Sequence, residues 1–229
     1  MTHETDMYNG CAEIYNNLIN ACEFMPPGGE RLRGQRTVGQ YRAIDLGIFA
    51  ALLVLMEFLL CKAGTIWFRQ EAYVVSLTAL ITAIVMMRWD LWGAIHAVLG
   101  GLAVCLFYKR DASWQMVAVY AVGNLGGLAG LILLKAPGWE KVSGDAGWTL
   151  FYGALVLAGM QTGRGLLSLV FGGSPAALPA YYTTEIVTLL FTLVALWIVR
   201  RLDGLFENQH HYLRRIHQEM QSEEEGRSE

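Results

Sequence analysis

Two residues in the last third of the chain carry the most conspicuous chemistry: Arg164 and Glu185, each inside a long apolar run. The runs, 148–171 and 180–199, are joined by the turn Gly172-Gly173-Ser174-Pro175. A bilayer core of about 30 Å takes about 20 mostly apolar residues at about 1.5 Å each, so either run is long enough to cross one. Ionisable side chains in membrane spans are costly, and they face a partner or a wet cavity. A guanidinium offers a planar fork to a carboxylate or a phosphate-like group. A carboxylate answers a cation or a hydrogen-bond donor. Gln161 lies one turn before Arg164, and Tyr181-Tyr182-Thr183-Thr184 leads into Glu185. Two readings are open, an ion pair that locks two helices and a binding site, and both can hold together.

The composition around these residues is that of a polytopic membrane protein. Of 229 residues, 54% are hydrophobic and 16% charged, with the charge gathered at the termini and loops. The first forty residues are polar and lack a short apolar core after a basic start, so no cleavable signal peptide is expected. The first span would then act as the insertion signal. Cys11, Cys22, Cys61 and Cys105 show neither CxxC nor zinc spacing, and no metal site is expected. HExxH, GxSxG and a phosphate loop ending in GK[ST] are all absent, which argues against an intramembrane enzyme and against ATP hydrolysis by this chain.

The elements that must position Arg164 and Glu185 form an all-α bundle. Apolar runs predict six transmembrane helices at 45–62, 71–87, 91–108, 114–134, 148–171 and 180–199. The second is the most dilute, because Ser76, Thr78 and Thr82 interrupt it. Residues 1–41 form an N-terminal segment with an amphipathic helix at 7–25, 42–201 the membrane domain, and 202–229 an amphipathic helix and tail. The stripe Leu202, Leu205/Phe206, Tyr212/Leu213, Ile216 and Met220 predicts that the sixth helix continues into the cytoplasm. With both termini inside, eleven basic residues fall on the cytoplasmic side and four (Lys62, Arg69, Lys109 and Arg110) on the other.

Helix rise places the polar groups. With the hairpin turn outside, Arg164 lies about 12 Å and Glu185 about 8 Å below the outer ends of their helices, and Glu57 about 8 Å below its own. Asn124 and Gln161 lie deeper. Tyr120, Tyr181 and Tyr182 stand beside or above, and the first external loop adds Trp67, Arg69 and Glu71. One outward-facing cavity lined by aromatics with a few polar groups is the expectation. His96, alone at membrane depth, predicts a helix–helix hydrogen bond rather than a ligand. Small residues four apart recur at Gly47/Ala51, Gly93/Ala97/Gly101, Gly123/Gly127 and Gly126/Gly130. Such spacing lets helix backbones approach closely in lipid. Internal packing accounts for the later seams, while Gly47/Ala51 could face another subunit.

Several stretches together resemble the substrate-binding S components of energy-coupling-factor (ECF) importers. Arg42-Ala43-Ile44-Asp45-Leu46-Gly47-Ile48-Phe49-Ala50-Ala51 looks like the first helix of that family, and Glu71-Ala72-Tyr73-Val74-Val75-Ser76 like the approach to the second. Arg88-Trp89-Asp90-Leu91-Trp92-Gly93 through Gly101 resembles the Gly-rich third helix, and Gly123-Asn124-Leu125-Gly126-Gly127 the fourth. The likeness covers 42–201; the two ends lie outside it. It implies a six-helix subunit of a bacterial cytoplasmic membrane with cytoplasmic termini and no cofactor. It also implies a pocket for a small nutrient, formed by the first external loop and the outer halves of helices four to six. Glu57, Trp67, Tyr120, Asn124, Gln161, Arg164, Tyr181, Tyr182 and Glu185 would line it. The resemblance implies two ATPase subunits and a coupling transmembrane subunit that meets Gly47 and Ala51. The competing expectation is a non-transporting membrane anchor or scaffold subunit, favoured by the amphipathic ends.

Overall fold

In the computed structural model of the chain, residues 38–67, 75–108 and 111–202 are described, with 205, 206, 208, 209 and 212 beyond them. The expected amphipathic helix at 7–25, loop residues Arg69 and Glu71, and most of the C-terminal stripe lie outside the described residues. Every secondary-structure element among the described residues is helical. In chain order these are α1 (Val38–Trp67), α2 (Thr78–Trp89), α3 (Gly93–Tyr108), α4 (Trp114–Gly123), α5 (Trp139–Gly144), α6 (Ala146–Val170), α7 (Ala177–Thr184) and α8 (Ile186–Val199). α4 runs on through a 3-10 segment, Asn124–Gly130, and a last turn, Leu131–Leu133.

Among the described residues, four helical stretches are long and apolar enough to cross a membrane: Val38–Gly64, Thr78–Tyr108, Trp114–Gly144 and Ala146–Val170. The bent pair Leu178–Thr184 and Ile186–Val199 makes a fifth if it counts as one. By length and composition, the chain is a multi-pass α-helical membrane protein. The six crossings expected from sequence exceed this count.

The difference lies in Thr78–Tyr108, which is not a straight rod. It breaks at Asp90, a non-glycine residue at φ 51°, and Asp90–Trp92 forms a 3-10 turn. The two legs then lie side by side. A Cβ placed on Gly100 would collide with Thr78, a residue that a straight helix would hold about 33 Å away. α2 has 12 residues and α3 has 16, so the legs are about 18 and 24 Å long.

α2 is the central helix: every residue from Thr78 to Trp89 except Arg88 is buried. Its apolar side chains join Leu53, Tyr152, Val156, Met160 and Leu196 in one core. It starts at Thr78 rather than near 71, because Val75 and Ser76 are non-helical. α6 buries Thr149, Tyr152, Gly153, Val156, Leu157, Met160, Gln161, Arg164 and Gly165. This is a stripe at three- and four-residue spacing that turns polar at one end.

The last membrane element departs from expectation twice. It is not one helix over 180–199, since α7 and α8 meet at Glu185 with a bend of 55°. The Thr183 and Thr184 hydroxyls donate back to the carbonyl of Ala180, at 3.1 and 2.9 Å. Such back-bonding bends helices. Nor does α8 run on into the C-terminal segment. It ends at Val199, the chain turns through Arg200–Leu202, and Phe206 is buried in the main core.

Candidate functional site

Glycine positions the site. Gly123 and Gly126 on the α4 rod face Gly159 and Gly163 on α6 so closely that a side chain on any of them would run into opposing backbone. A Cβ on Gly123 would lie 2.7 Å from Arg164 Cα. Backbones this close can be bridged by short side chains across the seam. The Arg164 Nε donates to Asn124 Oδ1 at 2.6 Å, and Asn124 Nδ2 donates to the Ala97 carbonyl of α3 at 2.9 Å.

The rest of the group comes from the α7–α8 break. Arg164 Nη1 donates to Glu185 Oε1 in an ion pair, and Gln161 Nε2 donates to Glu185 Oε2. Arg164 Nη1 also reaches Gln161 Oε1 at 3.5 Å. Glu185 has non-helical backbone (φ −109°, ψ 20°) immediately before α8, where the amino-terminal end of the helix dipole favours a carboxylate. The Tyr120 ring lies under the guanidinium, 4.8 Å from its centre to Cζ, and Tyr181 meets Tyr120 edge-on at 6.2 Å. Cation, anion, amides and ring thus form one cluster.

The cluster is closed. Asn124, Gln161, Arg164 and Glu185 are 0%, 1%, 2% and 7% exposed. The expected open watery cavity is not found at these residues, because they satisfy one another. An apolar groove of about 430 Å³ lies elsewhere, along Ala94, Ile95, Val98, Leu99 and Leu102 with Leu125, and shares no residue with the cluster.

The other expected site residues divide. Tyr182 is exposed, its hydroxyl paired with Thr162 Oγ1 at 2.6 Å and donating to the Ala158 carbonyl at 3.1 Å. The Trp67 side chain lies outside the described residues. Glu57 is fully buried, but its bonds go to the start of α2 rather than to Arg164. Its Oε1 accepts from Ser76 Oγ (2.6 Å), Leu77 N (2.9 Å), Thr78 N (3.1 Å) and Thr78 Oγ1 (3.0 Å). Ser76 N in turn donates to Thr188 Oγ1 at 3.2 Å, one turn beyond Glu185 on α8.

At the opposite end of α2, Asp45 of α1 accepts from Arg88 Nε (2.8 Å), Arg88 Nη2 (3.0 Å) and Trp89 Nε1 (2.6 Å). His96 Nε2 meets the Leu46 carbonyl at 3.1 Å, a helix–helix bond as expected. A Cβ added to Gly47 would meet nothing within 4 Å, and Gly47 and Ala51 are both exposed among Ile44, Ile48 and Leu55. Among the described residues, no three His, Cys, Asp or Glu side chains come together to hold a metal ion. Gly159 and Gly163 are site-building residues that the sequence expectations omit, although their spacing is the same small-residue signal read on the fourth helix.

Comparison with family models, with curated proteins and with solved structures finds no match to this chain.

Proposed function

We propose that this chain is the membrane-embedded substrate-binding subunit of an ATP-driven importer of the ECF type, capturing a small polar or amphipathic nutrient from outside the cell. The observation that carries the reading is the convergence of Arg164, Asn124, Gln161, Glu185 and Tyr120 from three membrane elements into one buried group. Charge at this depth is costly unless it is paired or used. α7, a helix of eight residues whose Tyr181 packs on Tyr120, meets α8 at the bend on Glu185, and this bend serves as the hinge. In this proposal α7 swings at that hinge, the ligand meets Arg164, and Tyr120 and Tyr181 close on it.

In this proposal α2 and α3 cross the bilayer separately, so that the chain traverses it six times with both termini in the cytoplasm. A further feature supports the reading. The open face around Gly47 and Ala51 offers a coupling subunit a close backbone approach, while the small residues of α3, α4 and α6 are spent on internal packing. Two ATPase subunits supply the energy.

A second reading, a non-transporting anchor subunit, draws on the closure of the Arg164 group, whose cation and anion are already paired with each other. Purification of the full chain from its native membrane discriminates. A coupling subunit and two ATPases in the complex support the importer, and their absence beside other stoichiometric partners supports the anchor.

A further inference from the structure

We infer that the ligand of the Arg164 group is a small zwitterion, whose carboxylate takes Arg164 and whose ammonium takes Glu185. This rests on the reading of that group as a binding site and adds the chemical class.

Charge balance inside a dry site sets the class. Arg164 and Glu185 are each other's counter-ion, and both are almost wholly buried. A ligand with a carboxylate alone would take Arg164 and leave the Glu185 carboxylate buried without its cation. A ligand with an ammonium alone would strand Arg164. Breaking a buried pair by satisfying only one partner is strongly unfavourable, by about 100-fold or more in affinity. A ligand carrying neither charge would displace a charge-assisted bond and return a weaker one. A zwitterion inserted between the two replaces the lost bond at both ends, and the site stays neutral before and after.

The surroundings suit such an exchange. Arg164 is fixed from behind by Asn124, which is itself held by the Ala97 carbonyl, so the guanidinium stays put. Glu185 is the movable half, since it sits at the non-helical break between α7 and α8. Gln161 offers its amide nitrogen to Glu185 and its oxygen to Arg164, so it accompanies either partner. The Tyr120 and Tyr181 rings supply an aromatic wall for the rest of the molecule.

The test uses the purified full-length chain in nanodiscs and follows thermal stability and equilibrium dialysis. The probes are the common α-amino acids, together with matched single-charge relatives: tryptophan, tryptamine and indole-3-propionate, and the same trio for leucine. At least one zwitterion should raise Tm by about 5 °C at about 100 times its Kd, with its two relatives weaker by about 100-fold or more. Glu185→Gln should reverse the order, favouring the carboxylate-only acid, and Arg164→Gln should favour the amine. A role confined to locking two helices would lower Tm in both variants without reversing any preference. The inference is overturned by a single-charge acid binding the unaltered chain as well as its parent zwitterion, by no zwitterion binding at all, or by no reversal in the variants. Binding of single-charge acids by a chain that still purifies with ATPases would sink this inference and spare the importer reading. Zwitterion binding without ATPases would do the opposite.

Discussion

Asp45 and Glu57, both on α1, grip opposite ends of α2. Glu57 collects the hydroxyls of Ser76 and Thr78 and the first amides of that helix, while Asp45 collects Arg88 and Trp89 at its last turn. Twelve positions separate 45 from 57 and α2 is 12 residues long, about 18 Å in each case, so the two carboxylates match the length of the helix they hold. α1 and α2 are therefore pinned as one body. Through Ser76 N and Thr188, the Glu57 end of that body touches α8 one turn from Glu185.

Glu57→Ala should cost about 2–3 kcal/mol, because it removes the partner of several buried donors at a helix start that has no cap of its own. Glu57→Gln keeps an acceptor oxygen and should cost less than half of that. Thermal unfolding in nanodiscs gives the comparison. Equal losses for the two variants would show that the carboxyl oxygen does not act as this cap.

The Arg164–Glu185 pair should be grossly non-additive. Arg164→Ala leaves a buried carboxylate without its cation and should cost about 3–5 kcal/mol, so the variant is expected to unfold more readily as well as lose ligand. Pairing Arg164→Gln with Glu185→Gln removes both charges and should recover most of that loss. A double-mutant cycle on Tm measures the coupling. Additive losses would mean the two side chains do not depend on each other.

Glycines on different helices should respond in opposite ways. Gly163→Val must push against the Gly123 backbone and separate α4 from α6, with a loss of about 2–3 kcal/mol and misplacement of Arg164. Gly47→Leu meets open space and should change the stability of the isolated chain by no more than about 0.5 kcal/mol. Under the proposed function it blocks close approach of the coupling subunit, so co-purification falls while ligand binding persists. Unchanged co-purification of the Gly47→Leu chain would take that face out of the interface.

Much of this is legible in the sequence, and the reasons for the rest are physical. Helical class and membrane character follow from long apolar runs, and depth along the rods groups Arg164 with Glu185 but sets Asn124 and Gln161 deeper, whereas the structure brings all four together. The second helix reads as weak because Ser76, Thr78 and Thr82 lower its hydropathy. Ser76 and Thr78 are buried at the Glu57 end, where their hydroxyls answer a carboxylate instead of lipid, and Thr82 is buried one turn further along. Depth alone puts Glu57 beside Arg164. Depth fixes height along a helix but not the direction a side chain takes, and Glu57 turns to the nearer amides of α2. The bend at Glu185 is invisible to a hydropathy reading, which sees Tyr181-Tyr182-Thr183-Thr184 only as a dilution. The closure of the polar group also escapes it, because whether opposed charges meet or leave a gap depends on backbone spacing. Here Gly123, Gly126, Gly159 and Gly163 set that spacing.

On this account, the buried charged group is where a nutrient is held. Mass spectrometry of small molecules released from the purified full-length chain, beside the same protein carrying both Arg164→Gln and Glu185→Gln, tests it most directly. The expected result is a compound near one equivalent from the unaltered chain that is missing from the charge-free variant, with both proteins folded. The same compound at equal amount in both, or none in the unaltered chain even after growth in rich medium, would contradict it.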